Sequence, residues 1–159
     1  MFKLMLFGEN IKKNCEKILC QQLPDSLEVE NFKKYIPLKL LSQISPKDEF
    51  ILLKRKNPEE FWCIFNAANK SVSSFAQKNK LRTLTCGFSP YDTIIFSSVN
   101  CGEAVVSLQR EIFSVKNRII EPCDCIVHTS KNISQNSLLF CVAALLLSDN
   151  FSENPVFYF

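Results

Sequence analysis

The chain opens on a strand, a glycine and a basic helix. A short apolar strand, Phe2–Phe7, runs into Gly8, and a Lys-rich segment follows at once. Ile11, Cys15, Ile18 and Leu19 recur at helical spacing, which predicts a helix over about 10–22 with one apolar face. Strand, glycine and helix in that order make a unit whose backbone amides can face an anion. The chemistry for phosphate is incomplete. There is one glycine where a phosphate cradle needs at least two, and no Ser or Thr follows Lys12 to hold Mg²⁺. Glu9 and Ile11 also work against a phosphate there.

The next elements repeat the alternation. Leu27–Asn31 reads as a short strand, Pro37–Ile44 as a short helix stopped by Ser45-Pro46, and Glu49–Lys54 as a second apolar strand. Asn57–Glu60 is a turn, Phe61–Asn66 a near-continuous apolar strand, Ala68–Lys78 a helix and Leu81–Cys86 a strand ending at Gly87. Such alternation predicts a parallel sheet with crossover helices. The pattern then changes. Asp92–Ser98, Glu103–Leu108 and Ile119–His128 are strand-like with short breaks, the signature of an antiparallel meander. Ser134–Leu147 closes the domain as a strongly apolar helix. The expected fold is therefore α/β: a Rossmann-like three-layer parallel sheet with helices on both faces, plus a small antiparallel β-meander. A single domain spans 1–149, and 150–159 is an aromatic tail carrying Phe151, Phe157, Tyr158 and Phe159. That tail is expected either to dock on the domain or to contact a second copy or another protein.

Composition narrows the function classes. At 47% hydrophobic and 22% charged, with 14 Phe, the chain has ample core material, while three glycines argue against Gly-rich ligand loops. A net charge of +3, with scattered Lys and Arg, implies no nucleic-acid partner. The apolar run Leu138–Leu147 is too short to span a bilayer. The opening apolar stretch contains Lys3 and is too short for a secretion signal. Eight cysteines, mostly within apolar segments, then read as reduced thiols of a cytoplasmic protein. Cys123 and Cys125 share a strand face, but without paired Cys-x-x-Cys spacing no metal site is expected. His128 is the single histidine and lacks a nucleophile-elbow pattern nearby; it reads as a strand-end surface residue. Arg110 is expected to pair with Glu111 or Glu121, or to mark an exposed edge. Asn66 and Asp92 follow strands at the presumed carboxyl edge of the sheet, where open α/β folds place ligands.

Three stretches together resemble the central, ATP-binding domain of the Mur ligase family. Gly8-Glu9-Asn10-Ile11-Lys12-Lys13 is similar to that family's compact Gly-Thr-Asn-Gly-Lys-Thr loop, keeping Gly8, Asn10 and Lys12. Cys63–Asn69 followed by a helix and Leu81–Gly87 is similar to its strand ending in Asn-Ala-Asp-Asp, with a following strand ending in Phe-Gly or Tyr-Gly. Ser130–Asn136, leading into the closing helix, is similar to its Gly-x-His-Asn-x-x-Asn. The resemblance covers roughly residues 50–149 and more loosely 3–20. Small stand-alone Mur-like proteins share strings like Thr85-Cys86-Gly87, Val106–Arg110 and Ile120-Glu121-Pro122.

The departures from the family fall on its chemistry. Ile11 replaces the second loop glycine, Lys13 the Mg²⁺-binding hydroxyl, Ala68 and Asn69 the acidic pair, and Asn132 and Ile133 the His-Asn pair. The resemblance thus implies a remnant nucleotide site of Gly8, Asn10, Lys12, Asn66 and Asn136, with no catalytic residue, no metal and no cofactor. The expected function is a non-catalytic binding or scaffold protein, with ATP-dependent ligation not expected. The alternative is a weak nucleotide- or small-molecule-binding enzyme that uses a reshaped remnant of the ATP site.

Overall fold

A computed structural model describes residues 2–23, 27–29 (as backbone), 43–55, 59–130 and 132–159. The helix expected over Pro37–Ile44 lies largely outside these residues. Among them, nine strands form one mixed sheet and three helices pack on it. In chain order these are β1 (Phe2–Phe7), α1 (Glu9–Gln22), β2 (Leu27–Val29), β3 (Phe50–Arg55), β4 (Glu60–Asn66), α2 (Lys70–Lys78), β5 (Arg82–Gly87), β6 (Ile94–Asn100), β7 (Glu103–Leu108), β8 (Ile112–Phe113), β9 (Ile119–Ile120), β10 (Cys123–His128), α3 (Gln135–Ser148) and β11 (Val156–Tyr158). The sheet order is β11-β10-β7-β6-β5-β4-β3-β1-β2, and β8 with β9 makes a separate hairpin.

The parallel arrangement expected from the alternation holds for β1 with β2 and for β4 with β5, and β6, the first meander strand, also lies parallel to β5. It fails at β3, which runs antiparallel to both β1 and β4. Only four residues separate Arg55 from Glu60, enough for a hairpin and far too few for a crossover. The meander is present as β6, β7 and β10. Its last expected strand, Ile119–His128, is two strands. The break falls at Glu121-Pro122, where proline removes a ladder donor. The tail joins the sheet: β11 lies parallel to β10 at one edge.

The two faces of the sheet alternate along each strand as the pleat requires. Leu4 and Leu6, Ile51 and Leu53, and Trp62 and Ile64 point to one side and meet Ile11, Cys15, Ile18 and Leu19 of α1 together with α3. Met5, Phe50, Leu52, Cys63 and Phe65 point to the other and meet Val72, Phe75 and Ala76 of α2. α3 is apolar all round because it is enclosed all round. It packs on α1 and on the central strands, the loop of the β8–β9 hairpin bonds to its end (Val115 N to Leu147 O, 2.9 Å), and Phe157 and Phe159 of the tail join the same core. Its carboxyl end is closed by Asp149, a left-handed residue (φ 57°) whose side chain pairs with Arg118 and accepts from Ser114.

Candidate functional site

β1 and β4 are both antiparallel to β3 and so parallel to each other. Phe7, Phe50 and Phe65 lie in register across them, which places Gly8 and Asn66 on one edge of the sheet. This is the carboxyl edge that the sequence pointed to. The residues leaving it are Gly8 into α1, Asn66 into α2 and Gly87 into the Phe88–Thr93 turn. The first turn of α3 arrives beside them.

The junction between β1 and α1 is a single residue. α1 begins at Glu9, so Gly8 alone forms the turn, with φ 88° and ψ 139°. A phosphate cradle needs several consecutive loop amides around the anion; here the chain is already helical at position 9. Ile11 therefore points into the core, fully buried, and Lys12 lies exposed one turn along, its N–H donating to Gly8 O at 3.1 Å. The Lys12 side chain has no hydrogen bond or ion pair among the described residues.

The space over Gly8 holds the chain's own acid. A Cβ built on Gly8 would come 2.8 Å from Glu49 Cγ and 3.2 Å from Asp48 O. The Glu49 carboxylate accepts from Asn10 Nδ2 at 2.8 Å. A shallow hollow of about 370 Å³ remains, lined by Gly8, Glu9, Asn10, Pro46, Lys47 and Glu49. Two of its three charges are negative, the wrong sign for a phosphate.

Next to Glu49, the buried Asp48 gathers a polar knot. Its carboxylate accepts from Asn69 Nδ2 (3.1 Å), Ser71 Oγ (3.0 Å) and Ser45 N (2.9 Å). Asn69 in turn caps α2 by accepting from Val72 N at 3.1 Å. Ionised groups with three donors are well compensated even when buried. The acid of this knot thus lies two residues ahead of β3, not in the turn after β4.

Asn66 and Asn136, 70 residues apart, meet: Asn66 Nδ2 is 3.4 Å from Asn136 Oδ1. Asn66 Oδ1 also accepts from Ala68 N at 2.9 Å, closing the turn after β4. Asn14 and Ser137 approach at 3.5 Å beside them. Four of the five expected site residues thus line one edge, as two groups: Gly8 with Asn10, and Asn66 with Asn136. Lys12 joins neither. Sequence reasoning missed Asp48 and Glu49, because they sit before a strand rather than after one. Their only signal was two adjacent acids after a Ser-Pro stop.

The other candidates are built into the fold. Asp92 is buried, accepts from Ser89 N at 3.1 Å and lies against Gly87, where a Cβ would run into its carboxylate. Arg110 pairs with neither Glu111 nor Glu121; it donates to Tyr91 O at 2.6 Å. His128 is 3.5 Å from Glu103 and stacks on Tyr158 at 5.0 Å between centroids. All eight cysteines are free thiols. Burial pushes the thiols of Cys63 and Cys125 far up, and that of Cys86 as well, with help from nearby Asp92. Such thiols are poor nucleophiles and poor ligands. Among the described residues no group of three or more His, Cys, Asp or Glu could hold a metal ion. No helix among them is long and apolar enough to cross a membrane. In comparisons with protein-family models, curated proteins and solved structures, the chain matches none.

Proposed function

We propose that this chain is a non-catalytic binding or scaffold protein, built on a mixed α/β frame that resembles the Mur ligase central domain. The observation that carries the reading is Glu49. Its side chain packs over Gly8 and its carboxylate bonds to Asn10, at the place where the family's loop would hold a phosphate. An anion there would meet like charge from Glu49 and Glu9. The one-residue turn and the buried Ile11 support the same conclusion. The tail supports a protein partner only in part: Phe157 and Phe159 are buried, which leaves Val156 and Tyr158 as its large exposed apolar residues.

A second reading keeps a weak nucleotide- or small-molecule-binding enzyme at the same edge. The Asn66–Asn136 contact favours it, since these amides are already convergent. A thermal-shift series with ATP, ADP and UDP-sugar precursors, with and without Mg²⁺, separates the two. The scaffold reading expects no shift. A Mg·ATP-dependent stabilisation that Lys12→Ala abolishes would establish the second reading instead.

A further inference from the structure

The sheet contains a gap between two strand edges. β5 and β6 pair only at Cys86–Ile94 and Gly87–Ile95, so the first half of β5 has no strand on its β6 side. Thr85 O accepts from Thr93 N at 3.0 Å, which fixes the main-chain groups of Thr85 toward that side. The period-two alternation of a strand turns the N–H and C=O of Thr83 the same way. Across the opening lies β8, whose residues pair with β9 in the hairpin. Between β5 and β8 is a cleft of about 560 Å³, lined by Trp62, Arg82, Thr83, Leu84, Glu111 and Phe113 with their neighbours. That volume is within the range of genuine ligand sites, about 300–1,000 Å³.

We propose that this cleft takes an extended peptide segment of another protein, which adds as a short strand beside β5. It places an apolar side chain against Leu84 and Phe113 and a basic side chain toward Glu111. Three observations select this occupant. Main-chain groups of Thr83 face the cleft, and strand addition satisfies such groups whatever the peptide sequence. Phe113 is 48% exposed while carrying a large apolar ring, so the cleft wall offers area to an apolar residue. The charges are unequal in availability. Arg82 is already bonded to Glu60 at 2.9 Å and lies over the Trp62 ring at 5.3 Å. Glu111 is exposed and has no ion pair among the described residues. The cleft therefore presents one open charge, and it is negative. This inference is independent of the carboxyl-edge reading, since the cleft is at the opposite, amino end of β4 and β5.

The test is a titration of the ¹⁵N-labelled full chain with two pools of acetylated, amidated pentapeptides. Both have an apolar third residue; the fourth is Lys or Arg in one pool and Asp or Glu in the other. The expected result is amide shifts at Thr83, Leu84 and the Glu111–Phe113 segment, stronger with the basic pool. Glu111→Gln should narrow the difference between pools by roughly two- to five-fold, the scale of one exposed ion pair. Replacing the peptide's central amide by an ester should weaken binding, as lost main-chain pairing requires. The proposal is overturned if neither pool moves those amides, if both pools and the ester bind alike, or if concentrated protein alone produces the same shifts, which would make a second copy the occupant.

Discussion

Replacing Gly8 by alanine loads two separate costs onto one methyl group. The first is conformational. At φ 88° and ψ 139° Gly8 sits near a backbone region that is essentially glycine-only, and holding an alanine there costs about 1–3 kcal/mol. The second is steric. The new Cβ would stand 2.8 Å from Glu49 Cγ, and overpacking of this kind costs about 1–3 kcal/mol. Gly8→Ala alone should therefore destabilise by about 2–6 kcal/mol. Glu49→Ala alone loses an exposed hydrogen bond to Asn10 and should cost about 0.5–1.5 kcal/mol. In the double variant the side-chain clash disappears, while the φ cost and the tight approach to Asp48 O at 3.2 Å remain. The double variant should then be less destabilised than the sum of the singles, by about 1 kcal/mol. Urea unfolding followed by circular dichroism measures all four proteins with one probe. Additivity within about 0.3–0.5 kcal/mol, the behaviour of independent sites, would refute the packing of Glu49 over Gly8. With it would go the reason for a filled phosphate turn.

Asp48→Ala should cost about 2–4 kcal/mol in the same assay, because it strips a charged acceptor from Asn69, Ser71 and the Ser45 amide in a buried setting. Leu146→Ala, fully buried in the last turn of α3, should lose about 2–5 kcal/mol as a cavity opens in the main core. Thiol labelling of the native protein with Ellman's reagent should reach Cys20 and Cys101 first and leave Cys15, Cys63, Cys86, Cys125 and Cys141 unmodified until denaturant is added; rapid native labelling of Cys86 would contradict its burial.

The sequence made α1 and α3 legible for different reasons. Ile11, Cys15, Ile18 and Leu19 repeat at helical spacing and all four are buried. The run 138–147 is apolar at every position, which fits a helix enclosed on every side. The expected helix starts at Ala68 and Ser134 fall within two residues of the observed ones, Lys70 and Gln135, which Asn69 and Ser134 cap. The direction of β3 was less legible. Apolar strands look alike in either direction, and only the four-residue link to β4 distinguishes a hairpin from a crossover.

Residue pattern alone was enough to give an α/β chain, to locate α1, α2, α3 and most of the described strands, and to show that Gly8–Lys13 lacks the second glycine and the hydroxyl that phosphate chemistry needs. Those properties rest on local periodicity and on residue types, which a single chain displays. What fills the carboxyl edge follows from contacts between distant elements. Glu49 reaches Gly8 and Asn10 across 39 and more positions, Asp48 ties β3 to α2, and Asn136 meets Asn66 across 70. The gap between β5 and β8 is likewise a product of strand order and register. Contacts between residues far apart in sequence follow from how elements pack, and no spacing within one element encodes them.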